Sequence, residues 1–364
     1  MRVLALLSGG FGVQGGIGAY NRDVLSALCA DPRVTEVVGV LRTLHHEPGA
    51  LPAKLTHVAG GANSKVGFLA ALARRLVSDR RFDLILCGHI LLLPAAWGAK
   101  LLTGAPILLE LYGIDAWKPT GRLVADRLAP RVDGYVAISE FTRERFLGWA
   151  PGADGRVALL PNAIHAEDYG PGEKSEELLR RYGLEDRTVL MTLGRIAAAE
   201  RAKGFDEMLE ILPKLAEDVP DVSYLIVGEG DDLARLERKA AVLGVRERVV
   251  FTGFISEEEK ADHYRLTDVY AMPSCGEGFG FVFLEAMACG VPVVGSCTDG
   301  GVEPLRGGEL GLLVDPGQPE QILAAIRQAL SRPKAVPKGL AHFSYDNFEK
   351  RLQRVLDGFC SAEG

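Results

Sequence analysis

Two carboxylates eight residues apart, Glu277 and Glu285, stand in the most chemically suggestive stretch of the chain, Pro273 to Val294. The pattern predicts a strand ending near Met272, a turn opened by Gly278 and Gly280, a helix ending near Gly290 and then another strand. Backbone N–H groups at such a helix N-terminus, with about half a positive charge from the helix dipole, suit a diphosphate. Eight residues of helix span roughly 12 Å, so the two carboxylates could meet opposite ends of one elongated ligand. The structural alternative makes Glu277 a first-turn carboxylate and Glu285 a surface charge, but Leu284, Ala286, Met287 and Ala288 around Glu285 argue against a solvated face.

A second glycine-rich loop, Ser8 to Gly18, follows the first apolar strand and leads into a helix expected to begin near Ala19. Gly10, Gly12 and Gly15 match G-x-G-x-x-G, the loop of dinucleotide folds. The second strand, however, ends at Leu41-Arg42-Thr43, without the acid that holds an NAD ribose. Arg42 could accept a 2′-phosphate, so an NADP-dependent oxidoreductase stays open as a remote alternative. His89 follows the strand Leu84–Cys87, and Glu110 and Asp115 lie near the next strand end, where open parallel sheets carry ligand groups. Tyr20, with Asn21 and Arg22, is read either as an acceptor contact or as a surface turn of the first helix.

The elements that must position these groups are short apolar runs alternating with helical patterns. Val3–Leu7, Val37–Leu41, Leu84–Cys87, Ile107–Leu111, Gly134–Ile138 and Val157–Leu160 form one series. Val189–Leu193, Tyr224–Val227, Val249–Thr252, Val269–Met272, Val291–Gly295 and Leu312–Val314 form another. Such runs predict parallel strands buried on both faces, hence an α/β protein of two doubly wound, Rossmann-like domains facing each other across a cleft. The polar stretch His165 to Ser175 is expected to join residues 1–165 to residues 166–343. The closing segment 344–364 has one apolar face, Phe348, Leu352, Val355, Leu356 and Phe359, able to pack back on the first domain.

Composition excludes several classes. A formal charge of −7 is the wrong sign for a general nucleic-acid binder. Arg74, Arg75, Arg80 and Arg81 make a local basic patch, best read as a solvated helix end. Six cysteines (Cys29, Cys87, Cys275, Cys289, Cys297 and Cys360) without a C-x-x-C pair suggest neither zinc ribbon nor disulfide framework, and most are read as buried free thiols. Val3–Leu7 is too short for a signal-peptide core of about 7–15 residues, and Ile90–Trp97 falls short of the ~20 residues of a membrane span. A cytoplasmic location is expected.

The Glu277–Glu285 stretch resembles the Glu-x7-Glu signature of glycosyltransferase family 4, retaining enzymes of the GT-B fold. The resemblance extends through Gly15-Gly16-Ile17, Ile138-Ser139-Glu140, Leu160-Pro161-Asn162, Gly228-Glu229-Gly230 and Phe251-Thr252-Gly253. It implies that Glu277 contacts donor-sugar hydroxyls and Glu285 the ribose. Gly278, Phe279, Gly280 and Phe281 would line the diphosphate and sugar, and Gly15 and Gly16 would also touch the donor. Gly194-Arg195 and Lys203-Gly204 resemble the family's Arg and Lys pair, which neutralises the leaving diphosphate; as plain structure, both would be exposed charges. Between them Ile196 to Ala202 is a long insertion, expected to be mobile until donor binds. His89 resembles the family histidine near donor sugar and acceptor. Phe254 and Ile255 follow the segment that flanks the base.

The implied reaction moves a sugar from a UDP- or GDP-sugar to an acceptor hydroxyl with retention of configuration. The acceptor is a glycan, a lipid-linked glycan or a small molecule, in bacterial exopolysaccharide or lipopolysaccharide synthesis. No D-x-D or H-E-x-x-H occurs, so no metal site and no cofactor beyond the donor are expected, and activity should survive EDTA. A nucleotide-sugar 2-epimerase of the same fold and a non-catalytic nucleotide-sugar-binding subunit are the rivals. Peripheral contact with the inner membrane would use Val66 to Arg81, although core packing of that helix is the simpler reading.

Overall fold

The computed structural model describes residues 1–153, 155–199 and 201–360, apart from the side chains of Phe359 and Cys360. The chain divides into two compact units. One comprises residues 1–163 with the helix that starts at Tyr345, and the other is Ile164–Ser344.

Seven parallel strands make the sheet of the first unit: β1 (Arg2–Leu7), β2 (Glu36–Leu41), β3 (Leu55–Val58), β4 (Leu84–Gly88), β5 (Ile107–Leu111), β6 (Gly134–Ala137) and β7 (Val157–Leu159). Their order is β3-β2-β1-β4-β5-β6-β7, so it reverses direction between β1 and β4. Val3 to Leu7 are fully buried because helices cover both faces. Those helices are α1 (Gly16–Ala30), α2 (Lys65–Ser78), α3 (Leu93–Thr103), α4 (Leu123–Leu128) and α5 (Glu140–Leu147). The core of one face joins Leu4, Val38, Ile85 and Ile107 of the sheet to Phe68, Leu72 and Phe146 of the helices. The strand Leu55–Val58 was not among the expected elements. Only Leu55 of its four residues is buried, so this short edge strand lacks the continuous apolar run of its neighbours.

Six parallel strands make the sheet of the second unit: β8 (Thr188–Leu193), β9 (Val222–Val227), β10 (Val249–Phe251), β11 (Val269–Met272), β12 (Val293–Ser296) and β13 (Leu312–Val314). The order β10-β9-β8-β11-β12-β13 reverses between β8 and β11. Around it run α6 (Glu176–Tyr182), α7 (Phe205–Asp218), α8 (Leu233–Val242), α9 (Lys260–Leu266), α10 (Phe281–Ala288) and α11 (Pro319–Leu330). Leu190, Ile226, Ala271 and Val294 pack with Met208, Leu212 and Ile322.

The last helix, α12 (Tyr345–Cys360), packs on α1. Phe348 is fully buried and meets Tyr20 edge-on, ring centroids 5.7 Å apart, and Leu352 and Leu356 are buried beside it. Phe359, expected on the same apolar face, lies outside the described side chains. Phe348→Ala should lower the stability of the first unit by about 3–5 kcal/mol, the usual cost of emptying a buried phenylalanine site. Denaturant unfolding followed by fluorescence checks this; an unchanged midpoint would mean that α12 is not part of that core.

Candidate active site

In a parallel sheet all loops that follow strands emerge on one edge, and ligands bind there, where strand order reverses. In the second unit, Arg195 follows β8 and Glu277 follows β11, the two strands that flank the reversal. Arg195 is exposed. Lys203, just before α7, places Nζ 2.5 Å from Glu277 Oε2. The backbone holds the two segments together, because Cys275 N donates to Ala202 O at 2.9 Å. Lys203 and Glu277, assigned separate tasks from the sequence, thus form one ion pair at the mouth of the glycine turn.

Glu277 is positioned by a residue that sequence reasoning missed. Asp299, 1% exposed, accepts at Oδ2 from Ser274 Oγ and from Glu277 N, both at 2.8 Å, and at Oδ1 from Gly301 N at 2.9 Å. Burial raises its pKa, while these three hydrogen bonds favour the carboxylate. Gly300 N donates in turn to Glu277 O at 2.8 Å. A Cβ at Gly300 would lie 2.1 Å from Gly278 O, so only glycine lets the loop after β12 lie on the loop after β11. An acid followed by two glycines directly after a strand is the signal that could have found it.

Gly280 caps α10, whose backbone N–H groups open toward the same turn. Phe279 is buried edge-on against Phe343, centroids 5.7 Å apart, so it can offer a ligand its backbone and not its ring. Phe281 is half-buried. Glu285, on α10, is 6% exposed and not the surface charge of the structural alternative. Lys260 Nζ lies 3.0 Å from its Oε1 and Tyr264 OH donates to its Oε2 at 2.6 Å. These two partners come from α9, Tyr169 adds a third side-chain hydrogen bond, and none was legible in the motif. Phe254, 60% exposed, follows β10, and Gly253 O accepts from Gly228 N at 3.0 Å, which ties that loop to the one after β9. In that loop a Cβ at Gly230 would come 1.9 Å from Ile196 O. The segment expected to be mobile is anchored where it is described. Ile196 N donates to Glu229 O at 2.9 Å and Ala198 N to Asp231 Oδ1 at 2.8 Å, while Glu200 lies outside the described residues.

In the first unit the loop after β1 and His89 after β4 likewise flank the strand reversal. The helix starts at Gly16, three residues before the expected Ala19, because Gly15 serves as its N-cap and accepts from Ala19 N at 3.0 Å. Gly15 and Gly16 are exposed. His89 Nδ1 accepts from Leu91 N at 3.0 Å, which puts the proton of the neutral ring on Nε2, and burial pulls its pKa below the ordinary value. Asp115 Oδ2 is buried with no hydrogen-bond partner, and burial pushes that carboxyl up to about 6. Two acceptor candidates are corrected. Tyr20, 1% exposed, is neither a ligand contact nor a surface residue; its OH donates to Leu160 O at 3.2 Å in the core. Glu110, also 1% exposed, meets Tyr112 OH at 2.6 Å rather than any surface.

The remaining groups are structural or peripheral. Arg75 pairs with Glu36 and Arg81 with Asp79 at the end of α2. Cys29, Cys87 and Cys289 are buried free thiols, Cys275 and Cys297 are exposed, and Cys360 lies outside the described side chains. Among the described residues no three His, Cys, Asp or Glu side chains gather as a metal site, and no helix is long and apolar enough to cross a membrane.

Two doubly wound units with glycine-rich loops at their strand reversals make the GT-B fold, and the family models and relatives show that the chain is a glycosyltransferase. Residues 15–163 match the family described as "Glycosyl transferase 4-like domain" and residues 175–344 the one described as "Glycosyl transferases group 1". The chain belongs to this glycosyltransferase family 4-like group. It is 31% identical over 308 residues, 78% of both chains, to a GDP-mannose-dependent alpha-(1-6)-phosphatidylinositol monomannoside mannosyltransferase of Mycobacterium tuberculosis. A protein of the same description from Mycolicibacterium smegmatis is 37% identical over 256 residues, 66% of each chain. Among solved structures, Anabaena Alr3699/HepE in complex with UDP-glucose superposes with a TM-score of 0.76 at 22% identity, covering 98% of this chain and all of that one, which shows the shared fold.

Gly300→Ala adds one methyl group where Gly278 O already stands, and should destabilise the second unit by about 1–3 kcal/mol, an overpacking cost. Gly98→Ala, in α3 with no atom within 4 Å of its Cβ, should be neutral or stabilising. Thermal melting of the pair tests the close packing of the two loops; equal melting temperatures would refute it.

Proposed function

We propose that the chain is a retaining, metal-independent hexosyltransferase that uses a GDP- or UDP-sugar, with GDP-mannose the first choice, and a lipid-linked or glycan acceptor in envelope polysaccharide synthesis. The observation that carries this reading is the Lys203–Glu277 pair at the opening of the glycine turn before α10, beside the strand reversal. The preference for GDP-mannose rests on the two mycobacterial-type relatives whose names specify that donor.

In the proposed mechanism Lys203 exchanges Glu277 for a diphosphate oxygen, and the freed carboxylate accepts hydrogen bonds from donor-sugar hydroxyls. Arg195 adds a second cation, and the N–H groups at the start of α10 add their dipole, where negative charge grows on the leaving group. The anomeric C–O bond to phosphate breaks as the acceptor oxygen bonds to the same face of the anomeric carbon. The acceptor proton passes to a diphosphate oxygen, so neither a protein base nor a divalent cation takes part. Glu285, held by Lys260 and Tyr264, meets the ribose with a remaining lone pair; Phe254 and its backbone flank the base; Gly278, Phe279 and Gly280 enclose the diphosphate and sugar through their backbone.

The acceptor is assigned to the first unit. There His89 Nε2–H is a donor and unpaired Asp115 Oδ2 is an acceptor. Contact with a lipid surface would use α2, whose outer side shows Val66, Leu69 and Val77 exposed beside Arg74.

Thermal melting with GDP, UDP, ADP and NADPH, each with EDTA and with magnesium, tests the donor reading. Ligand at 100 times its dissociation constant stabilises the native state by about 2.7 kcal/mol, a readable shift. GDP or UDP should raise Tm equally with and without EDTA. A shift with NADPH alone, or one that EDTA abolishes, would contradict it.

A further inference from the structure

Beneath the glycine loop of the first unit, four polar groups form a chain whose hydrogens can be counted. Asn21 Nδ2, on α1, donates to Gly9 O at 2.6 Å. That bond fixes the amide orientation, because the reverse would set two acceptor oxygens 2.6 Å apart. Asn21 Oδ1 is therefore an acceptor, and it lies 2.6 Å from Tyr112 OH. Glu110 Oε2 lies 2.6 Å from the same hydroxyl. One phenolic hydrogen cannot serve two acceptors at that distance, so the second hydrogen must come from the carboxyl group. Glu110 donates to Tyr112, Tyr112 to Asn21, and Asn21 to Gly9.

We propose that Glu110 is a positioning residue that acts in its neutral form, as the proton-bearing end of a relay through Tyr112 and Asn21 that holds the glycine loop of the first unit in its binding conformation. All four groups lie where β1, β4 and β5 end. A Cβ at Gly88 would stand 2.8 Å from Tyr112 OH and 3.0 Å from Glu110 Oε2, so a glycine there leaves room for the acid and the phenol. The titratable groups that face the pair are Cys87 on β4, Asp115 after β5 and Tyr20 on α1, which in turn faces Asp23. None of these is a cation that would favour an ionised Glu110, and burial pushes its carboxyl up to about 7. The raised value fixes the sign. The stabilisation is complete below the ordinary carboxyl range, falls as pH rises from about 4.5, and is gone above about 7. Loss of the proton turns the relay into two acceptors competing for one hydrogen, and the loop loses its anchor within the range in which enzymes work.

The inference rests on the reading that this loop touches ligand, but its test does not require any ligand. Amide hydrogen exchange of Gly9 to Gly18 would be followed from pH 5.5 to about 8.5 in the whole chain, wild type against Glu110→Gln. The glutamine keeps an N–H toward Tyr112 at every pH. Wild-type loop amides should exchange about fivefold faster above pH 7 than base catalysis alone explains, the scale of one lost hydrogen bond, and the variant should show no such excess. The infrared difference between wild type and Glu110→Gln should contain a protonated-acid band that titrates near pH 7, above the Asp115 carboxyl, which burial pushes up to about 6. Tyr112→Phe should abolish the exchange excess and keep the band. Parallel exchange profiles in wild type and Glu110→Gln, or no acid band in their infrared difference, would overturn the proposal. If Glu110→Gln does not fold, the acid band that remains in Asp115→Asn, and its loss near pH 7, decides alone. Failure of nucleotide sugars to bind would leave these readings intact and overturn only the proposed function.

Discussion

The carboxylate of Asp299 is the constraint on which the second unit's corner depends. A buried anion is expensive unless donors surround it, and this one takes Ser274 Oγ, Glu277 N and Gly301 N. Those donors belong to the loops after β11 and β12, so satisfying one charge locks two strand ends together. The lock fixes the backbone of Glu277, and from there the side chain reaches Lys203. A loop that would otherwise wander with its glycines is held open at a helix N-terminus with an acid and a base in register. Gly300 makes the lock possible by its missing side chain.

The first unit solves a similar problem with different chemistry. Beneath its loop after β1 a relay of neutral groups, with Glu110 at its far end, ends on Gly9 O. The second unit fixes its loop by a buried carboxyl that accepts three hydrogen bonds, the first by a chain that needs its proton. The parallel sheets explain why both devices sit at strand ends, since only there do loops from neighbouring strands meet.

What the sequence revealed followed from how local the signal was. Continuous apolar runs such as Val3–Leu7 and Tyr224–Val227 could only be doubly covered strands, and the two-unit α/β plan came directly from them. Leu55–Val58 was missed because an edge strand needs no such run. Glu277 and Lys203 were legible as motif residues, but their pairing was not, since 74 residues separate them. Asp299 carried only the weak mark of an acid before two glycines. Glu110 was misread because an acid near a strand end suggests a ligand contact. Its place inside Ile-Leu-Leu-Glu-Leu, an otherwise apolar strand, was the better clue to a buried and protonated group. Tyr20 was misread because the partner that buries it, Phe348, lies at the other end of the chain.

The central claim, that Asp299 acts on the donor through Glu277, is tested most directly by a double-mutant cycle on GDP-mannose affinity measured by calorimetry. The four proteins are wild type, Asp299→Asn, Glu277→Gln and the double variant. The account predicts that each single change weakens binding and that the double variant binds little worse than Glu277→Gln, a coupling of at least about 1 kcal/mol. Strictly additive losses would contradict it and leave Asp299 as a fold residue with no hold on the site.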